Sequence, residues 1–204
     1  MKHPAIILAA GASTRLGEPK QLVRWENKTL LERAIDTLRA CGRAPIIVVL
    51  GAYSDDIARA MPDGVIEVIN GAWETGMGSS LRAGLDALDA HCHAPHDVML
   101  CLSDQPLISA ADLRALQGAL QAGADAAAAS FDGLTSPPVC FSAASLKHLR
   151  ELPPGVGARK LLRDGTLHVV HVPMHNAAFD VDTPDDLQQL QEQPPAPPEP
   201  ECPK

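Results

Sequence analysis

The chain has 204 residues, of which 46% are hydrophobic and 3% aromatic, and its formal net charge at pH 7 is −8. This length is enough for one α/β domain with a sizeable core and is short for two domains. The negative charge argues against a long nucleic acid as the ligand, because no global positive field gathers its phosphates. A small polyphosphate can still bind where a loop supplies backbone N–H groups and one or two cations.

Buried strands and amphipathic helices alternate along the chain. Continuous apolar runs without alternation predict strands that are buried on both faces of a sheet. The predicted strands are Ala5–Ala9, Ile46–Leu50, Val65–Ile69, Val98–Leu102, Ala124–Ala129, Leu167–Val172 and Phe179–Val181. The predicted helices are Leu30–Leu38, a short helix that Ser54 or Asp55 could cap, Ser80–Leu88, Leu113–Leu120 and a last helix that begins at Thr183-Pro184. This order predicts a single three-layer α/β/α domain with a mostly parallel, Rossmann-like twisted sheet.

The two ends of the chain and its cysteines indicate where in the cell the protein is expected. Residues 193–204 contain six prolines and predict a disordered tail behind a domain of residues 1–192. The first apolar run, of about six residues, is too short for a signal sequence or a membrane span. Five cysteines with no CxxC pair predict free thiols in a reducing compartment. We therefore expect a cytoplasmic protein that binds neither a membrane nor a nucleic acid.

Three segments that are rich in glycine or polar residues each follow a predicted strand. They are Gly11–Lys20, Asn70–Ser80 and Ser103–Pro106. In sheets of this kind ligands bind outside the carboxyl ends of the strands, so we expect the three segments to form one site.

The first of these segments is suited to a phosphate chain. Its small residues let backbone N–H groups approach phosphates closely, and Arg15 and Lys20 can neutralise their charge. The segment matches neither the GxGxxG pattern of dinucleotide folds nor the P-loop pattern. The alternative interpretation is an ordinary loop between a strand and a helix, with two surface cations.

Leu8–Lys20 resembles the LAAGxSxRxGxxK signature of the MobA-like nucleotidyltransferases, especially their molybdenum cofactor cytidylyltransferase branch. The similarity extends to about Leu187. It returns in Asn70–Leu81, Ser103–Pro106, Gly157–Arg159 and Asp180–Leu187. The resemblance implies a fold of the nucleotide-diphospho-sugar transferase type. It also implies an enzyme that moves a nucleotidyl group from a nucleoside triphosphate to a phosphorylated small molecule and releases pyrophosphate.

The resemblance implies a role for individual residues. Arg15 would hold the β- and γ-phosphates, Lys20 would stabilise charge on the α-phosphate, and Asp104 would bind Mg²⁺. Asp182 or Asp180 would be the second carboxylate on that metal, and we favour Asp182. The implied nucleotide-binding residues are Ala9, Ala10, Gly11, Ala12, Ser13, Thr14, Arg15, Lys20, Asn70, Thr75, Gly76, Met77, Gly78, Ser79, Ser80 and Asp104.

The chemistry of nucleotidyl transfer supports these roles independently. Two anions must be aligned, so the main task is to neutralise charge. Mg²⁺ prefers oxygen ligands and polarises the α-phosphate. Because the incoming phosphate is already ionised, the reaction needs no strong general base.

Structural interpretations remain open for some of these residues. Asp104 could instead turn the chain or cap the helix near Ser109. Ser79 or Ser80 could be only a helix N-cap. Asp185 and Asp186 are typical of first-turn carboxylates that the helix dipole favours.

A histidine-rich segment lies between a predicted helix and a predicted strand. It contains His91, Cys92, His93 and His96. Such crowding can bind a soft metal, but no second cluster of matching spacing accompanies it. We interpret it as an exposed, adventitious site.

The sequence defines the type of reaction more closely than it defines the nucleotide donor and the phosphorylated acceptor. Ala10 stands where the guanylyl branch commonly has Gly, which favours CTP. Ser136 and Val156 depart from the family pattern on the acceptor side. The leading hypothesis is transfer of CMP to molybdopterin carrying molybdenum, with a molybdoenzyme or its maturation chaperone as protein partner. The alternatives are GTP with the same acceptor, a nucleotide with phosphoenolpyruvate, phospholactate or a sugar phosphate, and a catalytically silent nucleotide-binding regulatory domain.

Overall fold

The computed structural model describes residues 2–153 and 155–193. Within them the strands are β1 (Ala5–Ala9), β2 (Arg24–Trp25), β3 (Lys28–Thr29), β4 (Ile46–Leu50), β5 (Ile66–Ile69), β6 (Asp97–Leu102), β7 (Ala126–Phe131), β8 (Leu134–Ser142) and β9 (Val169–Pro173). The α-helices are α1 (Leu30–Ala40), α2 (Ser54–Arg59), α3 (Met77–His91), α4 (Ala110–Gln121), α5 (Leu146–Arg150) and α6 (Pro184–Glu192).

Seven of these strands form one sheet in the order β5-β4-β1-β6-β8-β7-β9, while β2 and β3 form a separate antiparallel pair. The large sheet is parallel except at β8, which runs antiparallel to both β6 and β7. Helices cover both faces, so the prediction of a three-layer α/β/α domain with a mostly parallel sheet is confirmed.

Each face of the sheet has its own apolar layer, because successive residues of a strand point to opposite faces. Ile7 of β1 packs in the layer under α1 and α4, together with Ile35 and Leu116. Ile6 packs in the opposite layer, under α3, with Leu85. β1 is buried along its whole length, which explains its uninterrupted apolar sequence.

A third apolar cluster is separate from these two layers. It consists of Leu16, Val23, Trp25, Leu30, Val181 and Leu190. Because Leu16 belongs to the loop after β1, and Val181 and Leu190 to the segment around α6, the cluster packs these two distant parts of the chain against each other.

β8 is absent from the sequence prediction, and it contains Pro137 and Pro138, which are unfavourable inside a strand. The β7–β8 register shifts between Ala128 and Ala129, so that these residues pair with Val139 and Ser136. The two prolines therefore lie in a bulge, where a missing N–H donor costs the ladder little.

Two other local predictions are wrong. Phe179–Val181 forms no strand, because Val181 donates its backbone N–H to the Asp104 carbonyl instead of joining a ladder. α2 begins after Tyr53, which has a left-handed conformation and gives no side-chain cap, so neither Ser54 nor Asp55 caps that helix.

Three other expectations concern the last helix, the cysteines and the membrane. Thr183 caps α6, with Pro184 at its first position, as predicted. The four cysteines within the described residues are free: Cys41, Cys92, Cys101 and Cys140. In the part of the chain that the structure describes, none of the helices has the length and apolarity needed to span a bilayer. The predicted tail lies, from residue 194 onward, outside the described residues.

Candidate active site

The loop after β1 is held at both ends by side-chain hydrogen bonds. The fully buried Gln21 donates its Nε2 to the carbonyl oxygens of Ala9 and Gly11, at 2.7 and 3.3 Å. The backbone N–H of Lys20 donates to Ser13 Oγ at 3.1 Å. A Cβ built on Gly11 would meet no atom within 4 Å, so the space in front of the loop is open to a ligand.

Four charged side chains meet where this loop faces the carboxyl end of β6. The Lys20 ammonium donates to Asp104 Oδ2 and, at 2.8 Å, to Asp182 Oδ1. Arg15 Nη2 donates to the other oxygen of Asp182 at 2.6 Å. The Lys20 side chain is 14% exposed and that of Arg15 is 68% exposed, so Lys20 lies inside the cluster and Arg15 at its rim.

The cluster changes the acidity of its members. Burial lowers the pKa of Lys20, but the charge and hydrogen bonds of Asp104 and Asp182 outweigh it, and the pKa ends above its ordinary value. Burial likewise works against ionised Asp182, yet Lys20 and Arg15 hold the pKa of that carboxyl below its ordinary value. Both groups are therefore charged at neutral pH.

A backbone contact brings these distant aspartates together. Val181 donates its N–H to the carbonyl oxygen of Asp104 at 2.9 Å, which brings the residues on either side of Val181 next to the end of β6. Asp186 accepts hydrogen bonds from the backbone N–H groups of Asp182 and Thr183, at 3.0 and 2.8 Å. Asp186 is thus a capping residue, which agrees with its interpretation as a first-turn carboxylate.

The aspartates offer oxygen ligands that suit a hard divalent cation. Asp104 Oδ1 is buried and has no hydrogen-bond partner among the described residues, and an unsatisfied buried carboxylate oxygen is costly. Asp180 is exposed at the rim, but desolvation of its carboxyl and the charges of Asp104 and Asp182 raise its pKa to about 6. A bound cation would satisfy Asp104 and relieve this repulsion. Asp104 and Asp182, which share the Lys20 ammonium, are the two carboxylates placed to hold it, whereas the three aspartates do not all bring an oxygen within 4.8 Å of one another.

The alternative role of Asp104 as a helix cap is excluded. Ser109 is the N-cap of α4 and forms a capping box with Asp112. Asp104 instead contacts Lys20.

The segment before α3 is shaped mainly by its own polar residues. Asn70 donates its Nδ2 to Ser79 Oγ and Ser80 Oγ at 2.8 and 3.0 Å, and its Oδ1 accepts from the Ala72 N–H at 3.0 Å. Neither serine is the N-cap, since α3 begins after Gly76, whose φ is 115°. Gly76 gives no side-chain cap, and Gly76 and Met77 at the N-terminus of α3 line the cleft described below, so the positive end of the helix dipole can attract an anion there.

A cleft of about 330 Å³ opens between these segments, which is within the range of small-molecule sites. The residues from the predicted nucleotide-binding set that line it are Ala9, Ala10, Gly11, Lys20, Gly76, Met77, Ser80 and Asp104. The members of that set that are not in its wall are Ala12, Ser13, Thr14, Arg15, Asn70, Thr75, Gly78 and Ser79.

The cleft wall also contains residues that the sequence analysis missed: Leu8, Gln21, Trp73, Glu74, Leu102 and Ser103. Trp73 and Glu74 lie inside the Asn70–Ser80 segment, and Gln21 directly follows Lys20. Their positions in or next to the motifs could have been used to predict them as cleft residues.

The Gly155–Arg159 segment packs on the start of α3. A Cβ on Gly78 would lie 2.6 Å from the backbone carbon of Gly155 and the backbone nitrogen of Val156, closer than real contacts allow. Only glycine therefore permits this approach, which fixes the segment beside the cleft.

A family profile described as the MobA-like NTP transferase domain matches residues 5–172. Nicotine blue oxidoreductase of Paenarthrobacter nicotinovorans is 37% identical over 136 residues, which are 66% of this chain and 64% of that protein, somewhat under two thirds of its length. The molybdenum cofactor cytidylyltransferase of Escherichia coli K12 is 27% identical and covers 89% of this chain and 92% of its own. The probable molybdenum cofactor guanylyltransferase of Bacillus subtilis 168 is 34% identical and covers 74% and 76%.

Two solved structures have the same architecture. Rv0371c from Mycobacterium tuberculosis H37Rv superposes with a TM-score of 0.81 at 30% identity, over 95% of this chain and 99% of its own. The complex of that protein with manganese gives a TM-score of 0.78 at 29% identity, over 94% and 99%. The fold is thus that of the nucleotide-diphospho-sugar transferases.

Proposed function

The chain belongs to the MobA-like NTP transferase family and is a nucleotidyltransferase; on this premise we propose that it transfers CMP from CTP to molybdopterin carrying molybdenum, with release of pyrophosphate. The observation that carries the proposal is the charged cluster of Lys20, Asp104 and Asp182 beside a loop that opens onto a cleft.

The chain's own residues divide the work of neutralising charge. The loop around Gly11 takes the triphosphate with backbone N–H groups, and the N-terminus of α3, where Gly76 and Met77 line the cleft, favours the same negative charge. Arg15, mostly exposed and held by Asp182, turns onto the β- and γ-phosphates. Lys20 moves its ammonium onto the α-phosphate, where charge builds up as the new bond forms.

Asp104 and Asp182 would hold a divalent cation, with Asp180 as the alternative second carboxylate. When bound, Mg²⁺ would polarise the α-phosphate and align it with the attacking oxygen. Manganese in the complex of the related Rv0371c protein supports a divalent metal in this family. Asp104 Oδ1, which is buried without a partner among the described residues, is the atom that most needs such a ligand.

The preference for CTP has two supports. The cytidylyltransferase relative matches nearly the full length of both chains. The methyl group of Ala10 is also part of the cleft wall, and a Cβ on Gly51 would lie 2.8 Å from it and 2.6 Å from Trp73. Ala10 stands where the guanylyl branch commonly has Gly, and its methyl group takes space that a glycine would leave to the larger purine, which favours a pyrimidine.

A guanylyltransferase is the second candidate, because the guanylyltransferase relative has the higher identity, 34%, over a shorter match. The acceptor is argued from the two molybdenum cofactor relatives alone, so a small phosphate acceptor of another kind remains the alternative within the same chemistry.

Pyrophosphate release tests the proposal directly. The purified protein is incubated with molybdopterin carrying molybdenum, a divalent metal and each of CTP, GTP, ATP and UTP. We expect release with CTP above the others, and Asp104→Asn to abolish it, whereas Asp185→Asn, an exposed first-turn carboxylate, should retain it. Release of pyrophosphate with GTP alone would assign the protein to the guanylyltransferase branch of the family in place of the cytidylyltransferase branch.

No release with any nucleotide, combined with nucleotide binding in a thermal-shift titration, would support the silent-domain alternative. Binding of a redox cofactor in place of nucleotide would instead favour the chemistry named for the nicotine blue oxidoreductase relative.

A further inference from the structure

A second polar cluster lies at the amino ends of β1 and β6, whereas the cleft lies at their carboxyl ends. His3 precedes β1, and His96 and Asp97 are at the start of β6. Nδ1 of His3 is 2.8 Å from Asp97 Oδ2, and Nδ1 of His96 is 3.6 Å from the same oxygen. The two imidazole centroids are 5.2 Å apart, and one ligand atom from each residue lies within 4.8 Å of the others.

Asp97 is fixed from behind by a buried cation. Its side chain is 1% exposed, and Oδ1 receives the guanidinium of Arg43, which is itself fully buried. Arg43 also contacts Cys140 Sγ at 3.5 Å. Because Arg43 occupies Oδ1, the other oxygen of Asp97 faces the two imidazoles. This is the arrangement of a ligating carboxylate that an outer hydrogen bond orients.

We propose that His3, His96 and Asp97 form a binding site for a divalent transition-metal ion of the zinc class. Tetrahedral zinc with bonds of about 2.0–2.2 Å holds its ligand atoms about 3.4 Å apart. The separations of 2.8 and 3.6 Å between Asp97 and the two imidazoles bracket this value, and the ligand atoms of the two imidazoles lie within 4.8 Å of each other, so side-chain movements of about 1 Å bring all three atoms to this spacing. Two imidazoles and one carboxylate select zinc-like ions over Mg²⁺, which prefers oxygen.

Exposure and charge set the character of the site. The side chains of His3 and His96 are 24% and 48% exposed, so an ion can enter from solvent and keep a water as fourth ligand. Arg43 already balances the charge of Asp97, so the affinity is lower than that of a closed four-ligand structural site.

The proposed site is separate from the cleft. Asp97 begins β6 and Asp104 comes two residues after it ends, so the length of the strand, about 17 Å, lies between the two carboxylates. The ion would join the segment before β1 to the start of β6 and so stabilise the fold without reaching the nucleotide.

Equilibrium dialysis of the metal-depleted, tag-free full chain against Zn²⁺ tests the proposal, with Asp104→Asn in every sample to weaken binding in the cleft. We expect one equivalent of zinc to bind. His96→Ala or His3→Ala should weaken this binding by more than the roughly 100-fold that loss of an outer-shell partner can cause. His93→Ala, which removes an exposed neighbour outside the cluster, should bind as the parent does. Asp97 is left intact because its loss would strand the buried Arg43.

Thermal melting gives a second measurement on the same variants. Zn²⁺ should raise the Tm of the parent and of His93→Ala, but not that of His96→Ala. The proposal is overturned if the parent binds no zinc, if His3→Ala and His96→Ala bind it as well as the parent, or if only His93→Ala loses it.

Discussion

Replacing Lys20 with Met separates two roles that this residue has in the structure. Its ammonium bridges Asp104 and Asp182, where a metal would bind, and it is also the cation proposed to meet the α-phosphate. Lys20→Met keeps most of the length of the side chain and removes the charge. We therefore expect turnover to fall while the affinity of the nucleotide-free protein for a divalent metal rises.

The magnitudes follow from burial. Breaking a fully buried ion pair costs about 3–5 kcal/mol. Asp182 is 32% exposed and retains Arg15, so we expect a loss of about 2 kcal/mol in the metal-free protein. For a domain of this size that loss lowers the Tm by about 4–8 °C. A metal that no longer has to displace the ammonium gains the same free energy, or roughly 30-fold in affinity. Loss of one preorganised cation at the reacting phosphate lowers kcat by about 10²–10³.

Thermal melting across a manganese titration, together with pyrophosphate release, measures all three effects. Arg15→Met is the matched control, because Arg15 contacts the same Asp182 from the exposed rim. It should leave the metal-free Tm nearly unchanged and raise the KM for nucleotide. If metal affinity falls together with turnover in Lys20→Met, then Lys20 does not compete with the metal and the reasoning is refuted.

Two further variants test the neighbours of this cluster. Gly78→Ala places a Cβ against the backbone of Gly155, which must move by about 1 Å, a displacement that can cost roughly 10² in rate. We expect the KM for the acceptor to rise more than the KM for CTP. The control is Gly118→Ala, at an exposed helical glycine whose Cβ would have no atom within 4 Å, and this variant should keep full activity. Because the pKa of Asp180 is raised to about 6, its ionised form destabilises the metal-free fold, and the penalty builds up as the pH rises from about 4 to 6. Asp180→Asn should raise the Tm of the metal-free protein by about 2–4 °C at pH 7.5, which corresponds to about 1 kcal/mol after allowance for solvent screening. The rise in Tm should be smaller toward pH 4. An equal rise at both pH values would show that charge repulsion is not the cause.

Elements with strong local signals could be predicted from the sequence. β1 and β4 are buried on both faces and therefore appear as uninterrupted apolar runs. Thr183 followed by Pro184 predicts the start of α6, because both residues favour the first turn of a helix. β8 could not be predicted, since the bulge that accommodates Pro137 depends on the register with β7.

Contacts between distant residues account for the other differences. The sequence grouped His96 with its neighbours His91 and His93, whereas the structure pairs it with His3, because β1 and β6 lie side by side in the sheet. In the same way, Phe179–Val181 has the apolar residues of a strand but joins no sheet, because the Val181 N–H donates its hydrogen bond to the Asp104 carbonyl oxygen. Local pattern carries no information on which strands become neighbours.

The bridge from Lys20 to Asp182 joins residues that are 162 positions apart, and it has a consequence for biosynthesis. At about 5–20 residues per second, a ribosome needs roughly 8–30 s to extend the chain from one to the other. The glycine loop can fold during that time, but its lysine has no aspartate from the last segment to meet, and Leu16 has no Leu190 to pack against. Nascent chains, and fragments released before Asp182 is made, should therefore lack transferase activity, so that the enzyme becomes active only after the segment with Asp182 has left the ribosome.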